Sequence, residues 1–283
     1  MIKTLVVTSF NRPKLIRDCL DSCLNLENLD QYKIVMVHQR GNSEVEKVIA
    51  EYSKIFSTLV STEPSGRITD AYITNNRILG LYVGFEFWKS DFVVSIEEDV
   101  IIAPDSLKFI EYAYEKYSND RNFRGVNLGS RLTSFDIEPN SYSLLRFGMH
   151  GPASMITKMT WNKINPSRVM KNASIIFDAQ VEFALKTGFM VTPNASRYID
   201  QGLEGSHTGN NSDDSYFQEL RRSFVGNLGV VHSYFLKNRK PVWRRDCIIY
   251  NSKDNYKFNI KSKLYWLLLK FPLIISMLNR RVS

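Results

Sequence analysis

The amino-acid sequence predicts an α/β fold with a mostly parallel sheet flanked by helices. Short apolar, β-branched runs alternate with segments of helical periodicity, and the runs are apolar on both faces, as in strands buried within a parallel sheet. Strands and helices that alternate in this way are typical of a doubly wound sheet with right-handed crossovers. One buried run ends in three consecutive acids, at what would be the carboxyl edge of the sheet.

The composition is that of an ordinary globular protein. Of the 283 residues, 43% are hydrophobic and 23% are charged, which allows one large α/β domain or two small ones and excludes a disordered chain. Lys and Arg number 37 against 29 Asp and Glu, so the net charge is +8, and much of the excess lies late in the chain. A basic end of this kind favours an anionic surface, either nucleic acid or a membrane leaflet.

Cysteine usage and the first strand predict a cytoplasmic protein. Cys19, Cys23 and Cys247 form a sparse, odd-numbered set without paired metal spacing, which indicates reduced thiols. A strand begins at Ile2, without the charged and apolar regions of a secretory signal.

Apolar periodicity places the elements in order along the chain. In the first part it predicts strand 2–9, a polar turn at 9–13, helix 14–24, strand 32–37, helix 44–56, a short strand 58–61 and helix 69–88. After the acidic strand it predicts a helix from Pro104, strand 125–128, a hairpin or loops within 130–150, strand 151–156, a helix near Thr160, helix 177–186, strand 188–193 and a polar loop 202–214. Since that loop is rich in Gly, Ser, Asn and Asp, it is costly to order, and we expect it to order over a ligand.

The stretch at residues 91–105, DFVVSIEEDVIIAPD, is the main functional signal. It places Glu97, Glu98 and Asp99 between two apolar runs. Carboxylates at the end of a buried strand are costly unless they have a partner, and the partner of clustered hard oxygen ligands is Mg²⁺ or Mn²⁺. The alternative is a solvated acidic turn between two strands, but the flanking apolar runs favour the buried position.

The C-terminal tail has a different character. Residues 264–278 are almost wholly apolar, with basic residues on both sides. This run is shorter than the ~20 residues of a transmembrane helix, and Pro272 interrupts it, so we expect an interfacial anchor on an anionic membrane. A buried C-terminal helix and a dimer contact are the alternatives.

Three segments carry a family resemblance: VVTSFNRP, FVVSIEEDVIIAPDSLKFI and FDAQVEFALKTGFMVTPNASRYIDQGLEGSHTG. Together they resemble nucleotide-sugar glycosyltransferases of the GT-A fold. Within that fold the chain is similar to the N-acetylglucosaminyltransferase I family, glycosyltransferase family 13, and its bacterial relatives, over roughly residues 3–225.

The resemblance implies roles for the acids and for the turn after the first strand. Asp99 would bind the Mn²⁺ (or Mg²⁺) that bridges the donor diphosphate. Glu97 and Glu98 would contact sugar or ribose hydroxyls or a metal-bound water. Ser9 and Arg12 would bind the nucleotide sugar, although Arg12 has the alternative of a surface turn residue.

The resemblance also implies roles late in the chain. Asp178 matches the catalytic base, and an inverting transfer needs a carboxylate that takes the proton from the acceptor hydroxyl. A helix cap is the other interpretation of Asp178. Ser206 and His207 match the loop that closes over the donor, and His207 either completes a metal shell or is an exposed loop residue.

The chain departs from the family pattern at two places. Ala179 follows Asp178 where the family has a second acid near its base. The second strand ends in His38, Gln39, Arg40 and Gly41, where the family places an acid near the uracil. The contacts to the acceptor and to the nucleotide base are therefore expected to differ.

These observations predict an inverting, metal-dependent glycosyltransferase. It would move a sugar such as N-acetylglucosamine from a UDP-sugar to a glycan or lipid-linked glycan acceptor in surface polysaccharide assembly. We divide the chain into a GT-A domain at residues 1–235, with a nucleotide-binding half at about 1–105 and an acceptor half at about 106–235, and a C-terminal extension at 236–283. Residues 261–283 would hold the enzyme peripherally at the inner face of the cell membrane.

Two other functions fit parts of the sequence. A sugar nucleotidyltransferase has a related sheet, but such enzymes carry a Gly-rich phosphate loop after the first strand, and TSFNRP has no Gly. A non-catalytic carbohydrate-binding or nucleic-acid-binding protein would fit the basic, aromatic composition. Because the basic charge collects beside the apolar tail and the predicted cleft is acidic, we expect no nucleic-acid partner. The sequence leaves the oligomeric state open.

Overall fold

A computed structural model describes residues 1–63, 76–129, 140–144, 151–164 and 188–202, together with the backbone of 70–75, 145–146, 235–236, 241–243 and 248–250. The strands are β1 (Lys3–Ser9), β2 (Lys33–Gln39), β3 (Thr58–Thr62), β4 (Phe92–Glu97), β5 (Val100–Ile102), β6 (Phe123–Asn127), β7 (Ser141–Arg146), β8 (Ala153–Thr157), β9 (Phe189–Pro193), β10 (Tyr198–Asp200), β11 (Phe235–Leu236), β12 (Pro241–Trp243) and β13 (Ile248–Tyr250). The helices are α1 (Pro13–Leu24), α2 (Ser43–Glu51), α3 (Asp70–Tyr82), α4 (Ser106–Tyr117) and α5 (Lys158–Trp161).

One large sheet has the strand order β12-β13-β7-β9-β6-β8-β4-β1-β2-β3, and β11 pairs with β7. The predicted α/β class is confirmed: β3, β2, β1 and β4 are parallel neighbours, joined by helical crossovers. The second half of the sheet differs from a purely parallel one, because β8 lies between β4 and β6 and runs antiparallel to both. Among the residues described after α4, the one helix is the short α5, and antiparallel neighbours need no helical crossover.

The two faces of the parallel half bury separate cores. On β1, Leu5 and Val7 face the core formed with α1, α2 and α4, whereas Val6 faces the core formed with α3. The α3 helix lies so close to the sheet that a Cβ on Gly80 would approach Val6 Cγ1 to 2.2 Å. This close packing fixes α3 over the parallel half of the sheet, above β1 and β2.

Most predicted elements are present, with different ends. The predicted helix 44–56 ends at Glu51 and continues as a 3₁₀ turn at Ser53–Ile55, and the predicted helix 69–88 changes to a π-helical turn at Val83–Phe87. A second, two-stranded sheet was not predicted. In it β10 pairs antiparallel with β5, the strand that follows Glu98 and Asp99, which form the acidic turn. The predicted helix 177–186, the tail 261–283 and residues 203–214 of the polar loop lie outside the described residues.

Within the described parts of the chain, none of the helices has the length and apolarity needed to cross a bilayer. The boundary between the GT-A domain and the C-terminal extension stays a prediction.

Candidate active site

The carboxyl ends of β1, β2 and β4 meet at one edge of the sheet. The register pairs Thr8 with Glu97 and Ser9 with His38, so the polar residues that end these strands are neighbours. As predicted for ligand sites of open α/β sheets, the acids lie just beyond the strand ends. The predicted residues Ser9, Arg12, Glu97, Glu98 and Asp99 all lie at this edge.

The turn between β1 and α1 wraps around Glu98. Pro13 opens α1, and Arg12 before it lies outside the helical region (φ −114°, ψ 85°), which proline disfavours for the residue that precedes it. The turn contributes two donors to the Glu98 carboxylate: Phe10 N–H at 2.6 Å from Oε2 and Arg12 Nε at 2.7 Å from Oε1. Glu98 is buried, so its carboxylate anchors the turn from below.

Arg12 also binds Asp99, with 2.9 Å between Nη2 and Oδ2. Burial lowers the pKa of Arg12, but the hydrogen bonds and charges of Glu98 and Asp99 outweigh it and raise the pKa overall. Burial raises the pKa of Glu98, against the opposing effects of Phe10 N–H and Arg12. Two carboxylates thus share one guanidinium, which leaves negative charge at the end of β4.

Glu97 has a different cation, Arg77 of α3. Arg77 Nη1 lies 3.1 Å from Glu97 Oε1, and Nη2 donates to the Gly151 carbonyl at 2.5 Å. Burial raises the pKa of Glu97, Arg77 lowers it, and the charges of Asp99 and Asp200 raise it again. Glu97 is therefore a partly exposed carboxylate at the carboxyl end of β4. A buried arginine from α3 holds it in place.

The small sheet of β5 and β10 brings a fourth carboxylate to the acidic turn. Gln201 N–H donates to the Asp99 carbonyl at 2.7 Å. At Gly202 an added Cβ would lie 2.5 Å from Asp99 Oδ2 and 3.0 Å from Asp200 Oδ1. Only a residue without a side chain fits here, and the two carboxylates face one common space.

Asp99 is the best-placed metal ligand in the described chain. Its Oδ1 is buried and has no hydrogen-bond partner among the described residues. Within those residues no set of three or more His, Cys, Asp or Glu side chains is arranged to hold a metal ion. A divalent ion here would need further ligands from a bound substrate or from water, which is the usual manner of Mg²⁺ binding at phosphate sites. Asp99 and the adjacent Asp200 fit such a site.

Ser9 and His38 form a hydrogen-bonded pair beside the acids, with 3.0 Å between Ser9 Oγ and His38 Nδ1. His38 is 3% exposed. Its Nε2 lies 3.8 Å from Glu46 Oε1 and has no hydrogen-bond partner among the residues described. Burial lowers the pKa of His38, although Glu46 opposes this, so the ring is neutral near pH 7.

The predicted base Asp178 and the predicted donor-loop residues Ser206 and His207 lie outside the described residues. Sequence reasoning missed Arg77 and Asp200. Arg77 had a usable signal, since it is the one charge between Ala71 and Phe85 on a helix that packs against the sheet. Asp200 had none, because its place depends on the unpredicted pairing of β10 with β5.

Comparisons with known proteins agree with this geometry. The sequence model described as Glycosyl transferase family 2 matches residues 4–168, which is more than half of the chain. The chain belongs to glycosyltransferase family 2. No comparison supports the narrower resemblance to glycosyltransferase family 13, so that part of the sequence prediction is corrected. No curated protein matches the chain.

Solved structures share the fold of this family 2 chain. The mannosyltransferase PcManGT from Pyrobaculum calidifontis, in complex with GDP-Man and Mn²⁺, is 14% identical with a TM-score of 0.50, over 72% of this chain and 58% of that one. S. aureus TarS 1-349 in complex with UDP is 11% identical with a TM-score of 0.51, over 70% and 59%. The same TarS fragment in complex with UDP-GlcNAc is 13% identical with a TM-score of 0.50, over 79% and 65%. The chain thus spans 58% to 65% of the length of these structures.

Proposed function

We propose that this family 2 chain is an inverting glycosyltransferase that uses a divalent metal ion and a UDP-sugar. The observation that carries the proposal is the acidic end of β4, where Asp99, beside Asp200, presents a buried Oδ1 that has no hydrogen-bond partner among the described residues. Family membership supports the reaction class. Support for the donor comes from TarS, a neighbour in fold that has been solved with UDP and with UDP-GlcNAc.

In the proposed reaction the described residues bind and orient the donor. Asp99 would hold Mn²⁺ or Mg²⁺, which when bound neutralises charge on the leaving diphosphate. Arg12 lies 2.9 Å from Asp99 and is partly exposed, so its guanidinium is available to the same diphosphate. Glu97 offers a carboxylate to the sugar or ribose hydroxyls, and Glu98 keeps the turn that carries Arg12 in place.

The acceptor side of the proposal rests on the sequence. Asp178 is the proposed base, because an inverting displacement requires a carboxylate on the face opposite the leaving diphosphate. Ser206 and His207 are the proposed donor-loop residues. The acceptor would be a glycan or lipid-linked glycan of a surface polysaccharide, reached at the inner face of the cell membrane through the basic, apolar tail.

Asp99→Asn tests the metal role. Asn retains an oxygen that accepts from Arg12, so the turn should keep its structure, while a ligand for the cation loses its charge. A metal ion supplies several kcal/mol of charge stabilisation in the transition state, and we expect a loss on the order of 100-fold or more in Mn²⁺-dependent release of UDP from a UDP-sugar. Mn²⁺ binding, measured by calorimetry with UDP present, should weaken in parallel.

Glu115→Gln is the matched control, since Glu115 is an exposed carboxylate on α4, and its activity should equal that of the wild type.

Asp178→Asn should abolish transfer to an acceptor while Mn²⁺ and UDP still bind. Full turnover in Asp99→Asn would refute the metal site, and full turnover in Asp178→Asn would refute the base. Consumption of a nucleoside triphosphate with a sugar phosphate would favour a nucleotidyltransferase instead.

A further inference from the structure

We propose that Arg77 is a positioning residue that holds the Glu97 carboxylate in place for the donor and ties the acidic turn to the start of β8. The inference rests on the proposed function, because Glu97 is taken as a donor-binding group. It adds a residue outside the acidic motif, on the opposite side of the sheet from α1. Arg77 itself is not expected to touch the donor.

The position of Arg77 follows from how α3 packs. Thr62 Oγ1 at the end of β3 donates to Asn76 Oδ1 at 3.1 Å, which holds this part of α3 at the carboxyl edge of the sheet. The residues that follow in α3, namely Ile78, Gly80 and Leu81, pack on the sheet. Arg77 therefore enters from below the strand ends, and its side chain is only 9% exposed.

The two ends of the guanidinium fork serve two different elements. Nη1 binds the Glu97 carboxylate and Nη2 binds the Gly151 carbonyl. The main chain repeats this connection, since Glu97 N–H donates to the Pro152 carbonyl at 2.9 Å. Side chain and backbone of Glu97 are both fixed to the segment that leads into β8.

Gly151 also lies close to residues from two other strands, β6 and β10. A Cβ on Gly151 would lie 3.3 Å from Tyr198 Oη and 3.6 Å from Asn127 Oδ1. Residues from β6 and β10 thus lie close to Gly151, the residue whose carbonyl Arg77 binds. A planar fork with fixed donors can span these partners, whereas the single ammonium of Lys cannot reproduce both bonds in the same directions.

A role through Glu97 makes a specific kinetic prediction for Arg77→Met. Without Arg77 the carboxylate loses its orientation, so the KM for the UDP-sugar should rise on the order of 10-fold or more, with a smaller change in kcat. Arg77→Lys keeps the charge but loses one bond of the fork, and its KM should lie between those of Arg77→Met and the wild type. Arg124→Met is the matched control: Arg124 is another buried arginine, on β6, and its Nη1 binds the Arg121 carbonyl. That variant should lower the melting temperature and leave the donor KM unchanged.

A double-mutant cycle with Glu97→Gln separates positioning from structural support. If Arg77 acts through Glu97, the double variant should have nearly the same donor KM and UDP affinity as the more impaired single variant. Additive effects, or a lower melting temperature with an unchanged donor KM, would overturn the proposal. Should Arg77→Met fail to fold, Arg77→Lys completes the same cycle.

The cycle is measured both as donor KM and as UDP affinity by calorimetry. The proposed function and the proposed role of Arg77 can then fail independently. If the wild type binds UDP and the UDP-sugar but releases no UDP under any acceptor condition, the proposed function fails, and the calorimetric cycle still decides the role of Arg77. If turnover is normal and the cycle is additive, only the role of Arg77 falls. A wild type that binds no sugar nucleotide would refute both.

Discussion

Among single residues, His38 shows most clearly how burial sets chemistry at this edge. It lies next to the last residue of β2, and within the described residues its ring makes one hydrogen bond, between Nδ1 and Ser9 Oγ. Burial lowers its pKa below the ordinary 6.5. A neutral imidazole next to the acids leaves their negative charge available to a cation.

The sign of the resulting pH dependence is fixed. Since the pKa is lower in the folded protein, the unfolded chain binds more protons between the folded value and 6.5. The free energy of unfolding from this residue is therefore complete above pH 6.5 and is lost as the pH falls through the folded pKa. His38→Asn retains a polar atom near Nδ1 and removes the titration.

We expect the wild type to lose stability more steeply than His38→Asn as the pH falls below 6.5, by about 1.4 kcal/mol for each unit of pKa shift. Urea denaturation at several pH values, with a chelator present, measures the difference. Parallel curves for the two proteins over the whole range would contradict the assignment.

A site residue could be predicted when the signal for it lies in its own stretch of sequence, and could not when it depends on a distant element. Glu97, Glu98 and Asp99 were predicted because an acidic triplet after a buried apolar run is visible in the sequence itself. Of the two arginines that bind these acids, only Arg12, in the first turn, was predicted. Arg77 binds Glu97 from a helix whose rotation over the sheet no local pattern specifies.

At the level of elements, a buried ion pair fixes the small sheet to the large one. Arg197, just before β10, is fully buried, and its Nε lies 3.0 Å from Oδ2 of Asp105 at the start of α4. The Arg197 carbonyl accepts from Ala103 N–H, and its N–H donates to the Leu128 carbonyl. These bonds place β10, and hence Asp200, against the acidic turn.

Removing one member of this pair should be costly. Asp105→Ala leaves a buried guanidinium without its carboxylate, and we expect a loss of about 3–5 kcal/mol in the free energy of unfolding. Chemical denaturation checks the value. Replacing both residues with apolar ones, as in Asp105→Leu with Arg197→Met, should recover a large part of the loss. A single variant as stable as the wild type would show that the pair does not hold β10.

The elements that periodicity predicted well are those whose environment is uniform along their length. Strands β1, β2 and β4 are buried on both faces, so their apolar runs identified them. β10 is a three-residue strand with an antiparallel partner far away in the sequence, and nothing in three residues distinguishes such a strand from a loop. The antiparallel direction of β8 likewise depends on its pairing with β4 and β6, which no pattern within β8 itself indicates.

For the whole molecule, the proposed function makes the C-terminal tail the segment that would bring the protein to a membrane-bound acceptor. The tail combines an apolar run with basic flanks, a pattern that binds anionic bilayers. Deleting residues 261–283 should abolish binding to vesicles that contain anionic lipid and leave UDP binding intact. Sedimentation with vesicles of neutral lipid alone is the control. Unchanged vesicle binding would remove the membrane proposal, and a change in oligomeric state would favour a dimer contact.

The pairing of β5 with β10 has a consequence for how the molecule is made. Asp99 and the Gln201 that covers it are separated by most of the middle of the chain, and closing so long a loop is slow and entropically costly. During synthesis the parallel half, from β1 to α4, emerges first, with most but not all of the residues of the core on its α1 face. The acidic turn acquires its cover only after β10 has left the ribosome, so this part of the candidate site is completed late in synthesis.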